Sequence, residues 1–373
     1  MPQPSSPLLL PSLTAIRAFA ALAVVVHHVR MALPQFEPVR RFGEIGWLGV
    51  PLFFILSGFV LMHTFDRRAP WGDFVVRRLS RIYPLHLLTL FAALALALVY
   101  GHALGGRMGT VPTTILNGLL LHDLPVGRPD IRHAWNGVSW SLSCEFCFYL
   151  VAPLLFLRME ARPTQTICLA FLAFLAVLAA AAAAAEPGRE ELDDFLKFHP
   201  LPHFAEFSLG AAGAALVRRG WTFVHPGLAL ALMAVPAAPV LLGAQSGETA
   251  ASLANYLFVP GAFLLIVSLA ARDSAGRVGF LHNPMLVRAG EASFALYMTH
   301  SLLLPCVKTV ILMADPDLVS EPVGGTIATI GYIALALALA SFVHYRFEMP
   351  ANRRLLARWR ERRGARRPAA ESA

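Results

Sequence analysis

Apolar runs of roughly twenty residues recur along almost the whole chain, and they leave few folds open. About twenty helical residues span the hydrocarbon core of a bilayer, where only helices and closed barrels satisfy their own backbone polar groups. Runs at residues 11–31, 46–65, 82–101, 138–158, 166–185, 199–217, 224–243, 253–271, 292–313 and 325–346 read as ten such helices. A mean hydropathy of +0.60, with only 14% charged residues, is far from the soluble average. The expected fold is all-α: a polytopic membrane helix bundle. A shorter apolar piece at 113–121 cannot cross and is expected to be re-entrant or interfacial.

Charge supplies the orientation, because cationic loops stay cytoplasmic. Arginines cluster after spans two, four, six, eight and ten, whereas the alternate loops hold Glu186, Glu190, Glu191, Asp193 and Asp194, then Asp315, Asp317 and Glu321. Ten spans with both ends in the cytoplasm put every cluster on one side; eleven would split them. The net charge of +8 therefore reads as topology and not as a nucleic-acid surface. The first run carries Arg17, His27 and His28 and follows an uncharged start, so it is expected to be a retained span of a multi-pass inner (plasma) membrane protein. Residues 1–350 form the transmembrane domain, and 351–373 a basic cytoplasmic tail drawn to anionic membrane lipid.

Within this background the ionisable residues inside spans stand out, since each is costly there. Arg17 and His28 are eleven positions apart, about 1100° of helix and 16 Å of rise, so they share one face at two depths. Glu145, about two turns into span four, lies at a depth similar to that of His28 and is expected to pair with it. At the start of span three stand Arg77, Arg78 and Arg81; Arg78 and Arg81 present adjacent guanidinium forks suited to phosphate. Each has a plainer reading: snorkelling for Arg17, a structural ion pair for His28, orientation for the arginines. Cys144 and Cys147 have redox or zinc spacing without a second pair, so packing is expected. His199 and His203, four apart, have no evident third ligand, and no metal site is expected.

These residues also carry a resemblance. The segment from Arg17 to His28 resembles the Arg-x10-His signature of the integral-membrane acyltransferase family 3, O-acyltransferases that modify extracytoplasmic glycans. Residues 49–59 (Gly-Val-Pro-Leu-Phe-Phe-Ile-Leu-Ser-Gly-Phe) resemble its second-helix block, and Arg78-Leu-Ser-Arg81 its Arg-x-x-Arg element. Trp140-Ser-Leu-Ser-Cys-Glu145 resembles its Trp-Ser-Leu-x-x-Glu segment. Phe294-Ala-Leu-Tyr-Met-Thr-His300 is similar to its late Ser-Leu-Tyr-x-x-His block, and Phe347-Glu-Met-Pro350 to its closing Glu-x-Pro motif. The chain departs at Pro51, where the family usually has Asp, at Met298-Thr299, and in the additional His27 beside His28.

The resemblance implies transfer of an acyl group, acetyl being the commonest, from cytoplasmic acyl-CoA to a hydroxyl of a glycan or lipid-linked saccharide. His28 would be the general base, oriented by Glu145; a covalent acyl-histidine relay is the variant. Arg17 would stabilise the thioester oxygen or the pantetheine arm, and Arg77, Arg78 and Arg81 the nucleotide phosphates. Ser57 and His300 would line the donor passage. Trp135, Asn136 and Trp140, in or next to the outer segment 101–137, would face the sugar. Acyl-CoA is then a co-substrate, with no tightly bound cofactor. The rival class, a secondary transporter or flippase, also uses charges near the midplane, but no internal repeat accompanies them. A receptor or scaffold leaves the buried ionisable set unexplained.

Overall fold

The computed structural model describes residues 10–100, 109–184, 188–221, 225–243, 248–319 and 321–365. Part of the expected acceptor segment (101–108), Glu186 of the acidic loop, and Arg366 and Arg367 of the tail lie outside the described residues. The chain runs through α1 (Pro11–Arg30), α2 (Glu37–Glu44), α3 (Gly49–His63), α4 (Trp71–Tyr100), α5 (Val111–Gly118), the single turn α6 (Pro129–Arg132), α7 (Trp140–Ala161) and α8 (Pro163–Ala184). It continues through α9 (Glu190–Phe198), α10 (Pro200–Arg218), α11 (Pro226–Leu241), α12 (Glu248–Ser274), α13 (Pro284–Glu291), α14 (Ser293–Ala314), α15 (Pro322–Val343) and α16 (Met349–Ala365). No strand occurs among the described residues. The expected all-α membrane bundle is the fold, and each of the ten apolar runs coincides with a helix.

Among the described residues, eight helical stretches are long and apolar enough to cross a bilayer. The other two expected spans differ from them for separate reasons. α11 has only 16 residues. α10 has 19, but eight of them are Ala, Gly or Ser, and His203, Glu206 and Arg218 are among the rest. It is buried along nearly its whole length, so it meets protein instead of lipid and needs little apolar surface. α5, with eight residues, rises only about 12 Å, as expected for a piece that does not cross.

Small residues set how tightly the bundle closes. A Cβ added at Gly210 of α10 would lie 1.9 Å from the Ile55 carbonyl oxygen of α3, and one at Gly58 of α3 would lie 1.9 Å from that of Phe207. The two backbones therefore touch at a reciprocal glycine crossing, the close approach that drives helix association in lipid. Gly46 and Gly49 meet the Ala23 and Ala20 carbonyls of α1 in the same way. α1 is thus held against α3, which brings Arg17 towards the bundle axis.

At the end of the bundle opposite the arginine clusters, residues 109–139 fold back over the helix ends around a buried polar network. Arg132, 1% exposed, is paired with Asp123 and Asp194, and its guanidinium lies 4.6 Å from the centre of the Phe198 ring. His122 sits between the Ser139 and Ser143 hydroxyls at 3.1 and 3.2 Å. Cys144 is buried beside Asp123, and its thiol donates to the Phe198 carbonyl at 3.3 Å. All four cysteines are free: Cys144 is buried, Cys147 and Cys306 are half-buried and Cys168 is exposed.

Candidate functional site

α1, α3, α4, α7 and α14 surround a pocket with about 850 Å³ of empty space. Arg17, Ser57, Arg78, Arg81 and Glu145 line it together, so five of the residues singled out in the sequence converge. Its polar wall is completed by Ser141, Tyr149 and Tyr297, and its apolar wall by Val50, Phe53, Phe54, Leu142 and others. Helix direction orders these groups along the pocket. Arg78, Arg81 and Arg17 lie towards the side where basic loops gather, whereas Val50, Phe53 and Ser141 lie deeper, near the opposite ends of α3 and α7.

The pocket is short of negative charge. Glu145 is its one lining carboxylate, and it accepts a hydrogen bond from the Tyr149 hydroxyl at 2.6 Å. Arg17, Arg78 and Arg81 all feel that carboxylate electrostatically, yet none lies within ion-pair distance of it or of any other described carboxylate. Arg78 makes a single hydrogen bond, 3.3 Å to the Thr64 hydroxyl, and its Nε is buried without a partner. Three guanidiniums against two carboxylates, Glu145 in the pocket wall and the buried Glu348 acting on Arg17 from outside it, leave net positive charge in a partly desolvated site. Such a site is suited to an anion.

Higher on α1 a second cluster forms. The Nε2 of His300, a fully buried residue, lies 3.3 Å from Nδ1 of His28, and the ring centres are 5.0 Å apart. His300 Nδ1 faces the Leu296 carbonyl at 3.1 Å, and His28 Nδ1 also faces the Val24 carbonyl at 2.9 Å. A carbonyl only accepts, so the proton of neutral His300 belongs on Nδ1, and its Nε2 is left as an acceptor. The same reasoning places the His28 proton on Nδ1, shared between Val24 and His300. His28 Nε2 then keeps its lone pair. The Tyr332 hydroxyl donates to the His300 carbonyl at 2.6 Å and fixes that turn of α14. His27 turns away, with Nδ1 on the Gly43 carbonyl at 2.9 Å.

Several expected roles change with this geometry. The His28–Glu145 pair does not form: equal depth in two helices says nothing about rotation, and α7 turns Glu145 to Tyr149 and the arginines. His300 does not line the pocket; it packs beside His28. Arg77, about 100° round α4 from Arg78, is exposed and outside the pocket. Asn136 is 2% exposed and fully engaged, donating to the Met298 carbonyl at 2.9 Å and accepting from Ser301 at 2.5 Å. Trp140 is buried in an aromatic stack, 5.6 Å from Trp47. Neither is free to meet a sugar. Trp135 is half-buried, with its indole N–H on Thr114 at 3.0 Å and a φ of 64°.

His199 caps α10, and His203 bonds Glu206 and the Lys197 carbonyl, so the pair is structural. No group of three metal-binding side chains occurs among the described residues. The sequence reading passed over Tyr149, Ser141 and Tyr297. The spacing of Tyr149, four after Glu145, would have revealed the first; the other two required knowledge of which helices meet.

An all-α membrane bundle that encloses an anion-seeking pocket, with a tautomer-fixed histidine further along the same helix face, defines a multi-pass membrane protein equipped for polar chemistry. The chain belongs to the acyltransferase 3 family, whose profile, described as an acyltransferase domain, matches residues 10–344. It is 33% identical over 320 residues to the acyltransferase MdmB of Streptomyces mycarofaciens, covering 79% of each chain. It is 26% identical over 350 residues to nodulation protein 10 of Rhizobium leguminosarum bv. viciae, covering 87% of this chain and 90% of that one. A further similarity, 31% over 111 residues, is to the exopolysaccharide production protein ExoZ of Rhizobium meliloti, covering 29% and 33%. No solved structure matches the chain.

Proposed function

We propose that this membrane acyltransferase takes its acyl group from a cytoplasmic acyl-CoA, acetyl-CoA being the simplest donor, and delivers it to a hydroxyl of a glycan or lipid-linked saccharide at the inner (plasma) membrane. The observation that carries the donor assignment is the convergence of Arg17, Arg78 and Arg81 on one pocket without a carboxylate in ion-pair contact. Phosphate groups suit those forks, and the pantetheine arm is comparable in length to the roughly 16 Å along α1 from Arg17 to His28.

A thioester needs little activation, so the demand falls on the acceptor alcohol. His28 Nε2 removes the hydroxyl proton as the oxygen attacks the thioester carbonyl; the C–O bond forms, the C–S bond breaks, and CoA leaves as a thiolate that the imidazolium can reprotonate. His300 acts as a positioning residue in the place expected for Glu145. Glu145 with Tyr149 instead balances the arginine charge. An acceptor saccharide is supported by the name of the exopolysaccharide relative.

The test is CoA release from acetyl-CoA by the purified chain in lipid vesicles. Wild-type turnover that is lost in His28→Ala and weakened in donor affinity in Arg81→Ala supports the reading. Absence of acyl-CoA binding removes it.

A further inference from the structure

On the face of α4 turned away from the donor pocket lies a second groove. Val76, Leu79, Ser80 and Tyr83 of α4 face Leu355, Arg358, Trp359 and Arg362 of α16 across it. Both sets step by three, four and seven residues, so each is one helical stripe. The helices run antiparallel, since Asp73 holds Trp359 Nε1 at 2.9 Å and pairs with Arg363, while Ser80 bonds Asn352 at 2.9 Å. The groove between them is open to the surroundings along one side.

We propose that this groove binds the headgroup of one anionic phospholipid, with the lipid chains running along the apolar side of the groove. Arg358 and Arg362 are exposed and have no carboxylate within ion-pair distance among the described residues. α16 as a whole carries six arginines against one glutamate. A soluble anion would account for the arginines alone; Val76, Leu79 and Leu355, with Tyr83 and Trp359, add the apolar and interfacial-aromatic surface that a lipid also meets.

Depth agrees with this assignment. The spans containing these helices, Trp71–Val99 and Pro322–Arg363, have 29 and 42 residues, more than the roughly twenty that cross. Their surplus ends meet at the groove, on the side of the basic loops, where headgroups lie. α16 lies beyond residue 344, where the family match ends, and packs on α4, which lies within it. Because α4 also carries Arg78 and Arg81, a lipid that clamps α16 to α4 steadies the donor arginines from behind.

Native mass spectrometry of the full chain tests this without reference to turnover, with short-chain phosphatidylglycerol, phosphatidylcholine and CoA as probes. The expected result is one phosphatidylglycerol retained by the wild type and held about 30-fold more weakly by the Arg358→Gln, Arg362→Gln double variant, at about 1 kcal/mol for each charge near a headgroup. Leu355→Trp, which fills the groove and keeps both charges, should weaken the same lipid, while phosphatidylcholine binds all forms equally and weakly. Equal phosphatidylglycerol retention by wild type and double variant overturns the proposal. So does loss of CoA binding in the double variant with competition between CoA and phosphatidylglycerol, which would assign the groove to the donor.

Discussion

His28 and His300 form a proton-ordering pair in which two backbone carbonyls decide where the hydrogens lie. Replacing His28 by Ala is expected to reduce acyl-transfer turnover by about 10²- to 10⁴-fold, the usual worth of a positioned general base, with donor affinity nearly unchanged. His300→Leu removes only the acceptor at His28 Nδ1, so a loss of about tenfold is expected, the rate equivalent of one hydrogen bond. The pH profile of turnover should shift with it, which a simple packing defect would not cause. Arg78→Ala should act on binding instead, raising the KM for acyl-CoA about ten- to a hundredfold with kcat little changed. At this scale the eleven-residue spacing of Arg17 and His28 was readable because both lie on one helix. The partner of His28 was not, because depth in a membrane says nothing about the rotation of one helix against another.

Helices and loops obey rules that can be tested away from the chemistry. Gly58→Val or Gly210→Val places a side chain against a carbonyl oxygen of the facing helix, and a destabilisation of at least about 1–3 kcal/mol is expected, seen as a lower Tm in detergent. The Ala/Gly-rich sequence of α10 signals close packing, though not the helix it packs on. The outer segment depends on charges the sequence reading did not single out. Arg132→Ala would leave Asp123 buried without its cation, costing about 3–5 kcal/mol and exposing 109–139 to protease. Burial, with His86, Arg132 and His133 nearby, holds the His122 imidazole down at about 3. Its folded pKa therefore lies below its unfolded value of about 6.5, so its contribution to stability is complete above pH 6.5 and is lost as the pH falls towards 3. Tm measured from pH 7.5 to 4.5 should fall, and less steeply in His122→Gln.

For the whole molecule, orientation is the open consequence of the charge pattern. In a chain with its four cysteines replaced, Gly188→Cys should react with an impermeant thiol reagent added outside intact cells, and Ala275→Cys only after the cells are opened. Labelling of both from one side would end the ten-span reading. The apolar period and charge alternation determined by themselves that this chain is an all-α membrane bundle, because lipid forces every span to satisfy its own backbone and loops to sort by charge. Family motifs, readable one segment at a time, also named Arg17, Ser57, Arg78, Arg81 and Glu145, five of the residues that line the pocket. What tertiary structure alone decided is how they are arranged: the arginines on one pocket with Glu145 but out of ion-pair contact with it, His300 against His28, and Asn136 and Trp140 withdrawn into packing. Those contacts depend on how far each helix is rotated about its own axis. That rotation is fixed by glycine crossings and aromatic stacks between distant segments, which no local periodicity encodes.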